Sequence, residues 1–149
     1  MATEVERLSD EPMAFFPHDA DAANDMKCRK LIRRCGFEGY GRWWRLCELL
    51  ASTSGHAIPV DTTEDLEILA EVLRFDSGCF GDEFIAAEEC KSFIETLLEI
   101  GLLKRNKDMF VENSRMRNNA LYYGQQRANG RKGGRPKKPT TSKTTGQTA

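Results

Sequence analysis

The residues that could perform catalysis or bind a metal begin with a small cluster near the N-terminus. His18, Asp19 and Asp21 have the residue types of a hydrolase metal site. No second His-Asp pair follows at a supporting position, so we interpret these residues as a turn before a helix. The only other histidine is His56, beside a glycine. Since the sequence also lacks a Ser-His-Asp set, a Cys-His pair and a glycine-rich phosphate loop, we expect that the protein is not an enzyme.

The cysteines are the other potential metal ligands. There are five, at positions 28, 35, 47, 79 and 90, and none forms a CxxC pair. Three occupy apolar positions of predicted helices, which favours reduced, buried thiols. A zinc site built from Cys28, Cys35, Cys47 and His18 is geometrically conceivable, but its spacing fits no familiar zinc module. We therefore expect neither a metal nor a cofactor.

The distribution of charge along the chain indicates a polyanionic partner. All 23 acidic residues lie at or before Glu112, whereas nine of the 22 basic residues lie at or after Arg115. The first 114 residues therefore carry a net charge of −10 and the last 35 a net charge of +9, which nearly cancel in the total of −1. A basic C-terminal segment is typical of proteins that bind polyanions, most often nucleic acid.

The basic segment contains the motif GRKGGRPKKP at residues 130–139. It resembles an AT-hook, whose Gly-Arg-Pro core lies extended in the narrow minor groove of A·T-rich DNA. Gly133 stands where the usual core has its first arginine, so three interpretations stay open: A·T-preferring groove contact, sequence-independent phosphate binding, and a solubilising tail. Residues 129–149 include no large apolar side chain, so we expect this tail to be disordered.

A second basic group lies nearer the N-terminus. Seven basic residues fall between positions 27 and 45, against one acid, Glu38. Such a helix face is usually solvated or paired with acidic residues of the same domain, and contact with nucleic acid is the alternative. The residues that we predict to contact nucleic acid are Lys27, Lys30, Arg33, Arg34, Lys104, Arg105, Lys107, Arg115, Arg117, Arg127, Arg131, Lys132, Arg135, Lys137 and Lys138.

Helical periodicity dominates the segment that must position these residues. The predicted elements are helices at about 26–35, 38–53, 61–73, 86–100 and 114–130, an extended piece at 56–60, and a hairpin of residues 102–104 and 109–111 around a tip at 105–108. Asp25 caps the first helix and Asp61 with Glu64 caps the third. Pro59 restricts the extended piece to a sheet edge. We expect three regions: a flexible N-terminus (1–13), a folded domain (14–128) and the tail (129–149).

This order of helices and strands is that of a winged helix-turn-helix domain. We therefore predict a mainly α fold with a two-stranded β-hairpin, in which residues 104–108 are the wing. The fourth helix would occupy the recognition position, yet its polar positions hold four acids and one basic residue, Lys91. Such a face is repelled by the phosphates that line the major groove. The candidates for a protein interface on this helix are Glu88, Glu89, Glu95 and Glu99.

Several short motifs point to a family. They are FFPHDAD at 15–21, DMK at 25–27, GFEGYG at 36–41 and WRL at 44–46, followed by the 66–73 helix and the segment 94–103, which ends in GLL. Together they resemble the DnaD-like winged-helix N-terminal domains of phage and mobile-element replisome organisers, over roughly residues 14–112. The resemblance implies a winged helix and a role in DNA binding or replisome assembly.

We therefore expect a winged-helix protein of phage or mobile-element DNA replication, in which the tail supplies largely non-specific affinity for duplex DNA. The alternative is a protein-interaction module that uses its acidic surface to dock a replisome component or to inhibit a host protein. A transcriptional regulator is the weaker alternative. The N-terminus lacks the apolar run of a signal peptide, and no stretch is long enough to span a bilayer. We expect a cytoplasmic, nucleoid-associated protein without a membrane partner.

Overall fold

The structure, a computed structural model, describes residues 2–75 and 83–131. It is mainly helical and includes a small three-stranded antiparallel sheet, which confirms the predicted mainly α class. The elements are α1 (Glu4–Ser9), α2 (Met26–Ser52), β1 (Ala57–Ile58), α3 (Thr63–Leu73), α4 (Glu83–Ile100), β2 (Lys104–Arg105), β3 (Val111–Glu112) and α5 (Ser114–Arg131). Within the described ranges, no helix is long and apolar enough to cross a bilayer.

Helix α2 is interrupted at Gly36, where the sequence predicts the end of one helix. Gly36 has φ 69° and ψ −174°, a backbone conformation that a side chain would disfavour. The helix begins at the predicted cap, since the Asp25 carboxylate accepts hydrogen bonds from the backbone N–H groups of Lys27 and Cys28 at 3.1 and 3.3 Å. The two predicted helices are therefore two segments of α2 that join at a kink, without a loop between them.

The core lies between α2, α3 and α4. Helix α3 packs along α4, and both contact α2. Fully enclosed side chains on the inner faces include Leu31, Leu46, Leu50, Leu97 and Cys90, each 0% exposed. Of the two adjacent tryptophans, Trp43 is buried and Trp44 is half-buried. This packing fixes the outward faces of all three helices, which carry most of the charge.

The cap of α3 lies one residue later than the predicted Asp61–Glu64 pair. The Thr62 hydroxyl accepts a hydrogen bond from the Asp65 backbone N–H at 3.0 Å, and the Asp65 carboxylate accepts one from the Thr62 N–H at 3.3 Å. Both pairs have the spacing of a capping box, so spacing alone does not choose between them. Asp61 instead binds the Arg105 guanidinium at 3.0 Å.

The three strands form a sheet in the order β1-β3-β2, with β3 antiparallel to both neighbours. β1 lies at an edge, as the adjacent Pro59 predicts. The hairpin strands begin about two residues later than predicted, because Leu102 and Leu103 are buried. Their backbone N–H groups donate to the Leu97 carbonyl at the end of α4. Met109 has a positive φ of 66° and belongs to the turn.

The N-terminus differs from the flexible segment expected at residues 1–13, because residues 4–9 form α1 and pack on α5. Leu8 is 1% exposed, and Ser9 lies directly against Gly124. A capping box between Thr3 and Glu6 begins the helix. That Thr-x-x-Glu spacing followed by a leucine was a sequence signal for this helix.

Replacing Gly124 by alanine should weaken the packing of α1 on α5. The added Cβ would lie 2.8 Å from the Ser9 backbone nitrogen and 2.9 Å from its Cα, so the two helices would have to separate. We expect a loss of about 1–3 kcal/mol in the free energy of unfolding, measured by urea denaturation. Gly130→Ala on the same helix is the control, since no atom lies within 4 Å of its Cβ. Equal stability of the two variants would contradict this packing.

Candidate nucleic-acid interface

The exposed side of α2 before Gly36 is basic. The exposed basic residues are Lys27, Arg29, Lys30, Arg33 and Arg34. The Lys27 ammonium donates a hydrogen bond to the Gly101 carbonyl at 3.2 Å, and Arg34 forms an ion pair with Glu99 at 3.2 Å. Lys30 and Arg33 contact no partner among the described residues. This segment therefore presents a row of cations, of which only Arg34 is paired with a carboxylate of the described chain.

The arginines of α5 are engaged by the N-terminal segment. Each of the four forms an ion pair with an acid of residues 4–19: Arg115 with Asp19 (2.6 Å), Arg117 with Asp10 (2.9 Å), Arg127 with Glu11 (3.4 Å) and Arg131 with Glu4 (3.7 Å). Arg127 also donates to the Leu8 carbonyl at 3.0 Å. The four arginines that were predicted to contact nucleic acid therefore bind the N-terminal segment in this structure. Exposed ion pairs contribute at most about 1 kcal/mol, so a phosphate could replace the carboxylate.

The hairpin contributes less free positive charge than predicted. Lys104 lies 3.8 Å from the buried Glu112 carboxylate, and Arg105 binds both Asp61 and the Met109 carbonyl. Lys107 is exposed at the tip and has no partner among the described residues. Only one of the three predicted cations of the hairpin is therefore available without breaking an internal contact.

The outward face of α4 is acidic. Glu88, Glu89 and Glu95 are exposed and form no ion pair within the described part of the chain, and Glu99 pairs with Arg34. Ile85, three and four residues before Glu88 and Glu89 on this helix, is also exposed (46%). The unpaired carboxylates repel phosphates. Together with the exposed apolar side chain, they are compatible with a protein partner.

His18 and Asp19 of the His-Asp cluster form contacts with other side chains of the fold. The His18 ring stacks on Trp44 with centroids 3.6 Å apart, and Asp19 binds Arg115. Asp19, Asp21 and Trp44 line a cavity of about 460 Å³ between the start of α2 and the start of α5. The Trp44 indole Nε1 is buried and has no hydrogen-bond partner among the described residues. Within residues 2–75 and 83–131, no group of three or more His, Cys, Asp or Glu side chains could hold a metal ion.

Three of the four described cysteines are buried in the core, and Cys35 is half-buried against it. Cys28, Cys47 and Cys90 are buried, and burial raises the pKa of each, to about 12 for Cys90. Burial also raises the pKa of Cys35. A thiol with a raised pKa is a poor nucleophile and a poor metal ligand. The fifth, Cys79, lies outside the described residues, as do the predicted tail contacts Lys132, Arg135, Lys137 and Lys138.

His56 joins the N-terminal segment to the end of α2. The side chain is 1% exposed, and its Nδ1 and Nε2 lie 3.0 and 2.8 Å from the carbonyl oxygens of Leu50 and Ser9. Because both nitrogens face backbone groups and no solvent reaches the ring, His56 has a structural role.

Phe37 is a prominent surface residue that the sequence pattern did not identify. It stands three and seven residues before Tyr40 and Trp44, a spacing that would assign it to the buried face of α2. Its side chain is nevertheless 78% exposed, since it directly follows the kink at Gly36. Phe37 thus adds an aromatic ring to the exposed surface beside the basic segment of α2.

Comparison with known protein families gives one match. A protein-family model described as Lin1244/Lin1753-like, N-terminal, matches residues 15–119. The matched segment begins in the loop before α2 and ends within α5, so it includes the whole sheet and α2 to α4. No curated protein and no solved structure matches the chain.

Proposed function

The chain belongs to the Lin1244/Lin1753-like, N-terminal family. We propose that its folded unit is a winged helix that binds nucleic acid through its basic surfaces and not through the acidic α4. The order of elements supports the winged helix: the second segment of α2, then β1, α3, α4 and the β2–β3 hairpin. The sheet order β1-β3-β2 supports the winged helix further, since β1, which lies between α2 and α3, pairs with β3, the second strand of the hairpin.

The observation that carries nucleic-acid binding is the exposed basic side of α2 before Gly36. Five cationic side chains lie there within eight consecutive residues, and no acid interrupts them. Lysine and arginine side chains that are free of internal carboxylates can neutralise phosphates and release condensed counterions, which drives binding. The five basic residues after Arg131 would add largely non-specific affinity for duplex DNA.

A role in phage or mobile-element DNA replication is supported by the resemblance of the 15–46 motifs to DnaD-like replisome organisers. These motifs occupy structural positions. Asp25 caps α2, Gly36 forms the kink and Trp44 stacks on His18. They therefore support the fold more strongly than the activity. Reading of base sequence by α4 is disfavoured by its acidic face, which makes a transcriptional regulator the weaker proposal.

A protein-interaction module is the second candidate, and a specific observation favours it. The carboxylates of α4 that are unpaired within the described residues lie on the same helix as the exposed Ile85. A partner for this surface would be basic and would bury an apolar contact at the centre of the interface. A replisome component or an inhibited host protein with such a patch would fit.

Charge reversal on α4 distinguishes the two candidates. Replacing Glu88, Glu89 and Glu95 by lysine should leave the affinity for duplex DNA unchanged or raise it, because three repulsive charges are removed. The matched variant Lys30→Gln/Arg33→Gln should instead weaken DNA binding about fivefold or more, because two cations that bind phosphates are removed. Electrophoretic shift assays measure both. If the α4 variant loses DNA binding while circular dichroism shows an intact fold, α4 contacts DNA and the proposal fails.

A further inference from the structure

Phe37 is the most exposed large apolar side chain of the described residues, at 78%. An aromatic ring in this position places a large apolar area in water, and intramolecular packing on the described chain does not compensate for it. Its exposure follows from Gly36, whose positive φ redirects the chain immediately before the ring. The fold therefore holds Phe37 outward at the junction of the two segments of α2.

The segment of α2 that precedes Phe37 is basic, and the position one turn after it is open. Arg33 and Arg34 precede it by four and three residues, so their Cα atoms lie within about 14 Å of its own. On its other side, nothing lies within 4 Å of a Cβ placed at Gly41, one turn further along α2. The nearest acid in sequence, Glu38, is held by Arg42 at 2.8 Å. A flat group could therefore approach the ring without meeting an unpaired carboxylate in this segment.

We propose that Phe37 stacks on an unpaired base of single-stranded nucleic acid while the neighbouring cations bind its phosphates. Base–aromatic stacking beside a basic surface is the general mode of single-strand binding. The alternative occupant, an apolar protein surface, is disfavoured because the exposed Arg33 and Arg34, four and three residues before the ring, would be desolvated against it. In duplex DNA the bases are already stacked on each other, so an exposed ring gains contact only by unstacking them. This inference rests on the proposed nucleic-acid binding and names the form of nucleic acid that α2 prefers.

The test compares full-length variants on a fluorescent oligothymidine strand and on a duplex of equal length, by anisotropy. Phe37→Ala should weaken single-strand binding about 5- to 150-fold, the range for the loss of one stacked base, and change duplex binding less than about twofold. Phe37→Tyr, which keeps the ring, should bind as tightly as the wild type. Phe37→Leu, which keeps apolar bulk without the aromatic face, should resemble the alanine variant. Circular dichroism should show all three folded, since the side chain is exposed.

The outcomes separate the two proposals. Single-strand affinity of Phe37→Ala equal to that of the wild type would overturn the stacking contact while leaving nucleic-acid binding intact. Retained affinity in Phe37→Leu would also overturn it, because apolar contact alone would then suffice. Equal losses on single strand and duplex would overturn the preference for unpaired bases. A wild-type chain that binds neither probe at about 50 mM salt would overturn the proposed function itself, and this inference with it.

Discussion

Truncation of the chain after Arg131 should weaken binding to duplex DNA by about tenfold or more at roughly 0.1 M salt and leave the melting temperature unchanged. The removed residues include five cations and no acid: Lys132, Arg135, Lys137, Lys138 and Lys143. The slope of the logarithm of the binding constant against the logarithm of the salt concentration should become shallower by about 0.9 for every phosphate that the shorter chain no longer neutralises. The stability should not change, because every residue of the described core lies before the truncation point.

A full-length variant with those five residues replaced by glutamine is the control for chain length. It should bind DNA as weakly as the truncated protein if charge alone supplies the affinity. A truncated protein that binds as tightly as the full chain would contradict the role proposed for the tail. If the glutamine variant keeps its affinity while the truncated protein loses it, the backbone of the Gly-Arg-Pro segment, and not its charge, makes the contact.

Leu97→Ala should lower the free energy of unfolding by about 2–5 kcal/mol, the usual result of truncating an enclosed leucine. Leu97 is 0% exposed and lies on the inner face of α4. Its carbonyl also accepts the N–H groups of residues 101–103, so disturbance at this point reaches the start of the hairpin. Urea denaturation of the purified chain measures the change, with the slope of the transition as the test for two-state behaviour.

Leu121→Ala on α5 is the matched substitution at a surface position, because Leu121 is 40% exposed. It should change the free energy of unfolding by less than about 1 kcal/mol. Similar losses in the two variants would show that the buried face of α4 is assigned incorrectly, and with it the outward direction of the acidic side chains.

Most of the described helical fold follows from local signals. The apolar periodicity and the glycines at positions 36 and 101 predict both segments of α2, as well as α3 and α4, with their ends within a few residues. Gly101 has φ 96° and ends α4 as a glycine stop signal should. Strand positions were less accurate, because Leu102 and Leu103 pack into the core after α4, and burial by distant residues leaves no local signature.

The candidate site was predicted less completely, for physical reasons. The charge of α5 is evident in the sequence, but its pairing with acids about 100 residues away depends on the packing of α1 against Gly124. Exposure of Phe37 depends on the backbone direction after Gly36, which overrides the helical spacing. The basic side of α2 and the acidic side of α4 were both predictable, because the opposite face of each helix is occupied by core residues.

The most direct test of nucleic-acid binding is the affinity of the full-length chain for a duplex oligonucleotide over a series of salt concentrations. We expect a linear plot of the logarithm of the binding constant against the logarithm of the salt concentration. Its slope should be about −4.5 to −6.3, the value for five to seven phosphate contacts made by the tail and by Lys30 and Arg33. A slope near zero, or no binding at about 50 mM salt, would contradict electrostatic recognition of nucleic acid by this protein.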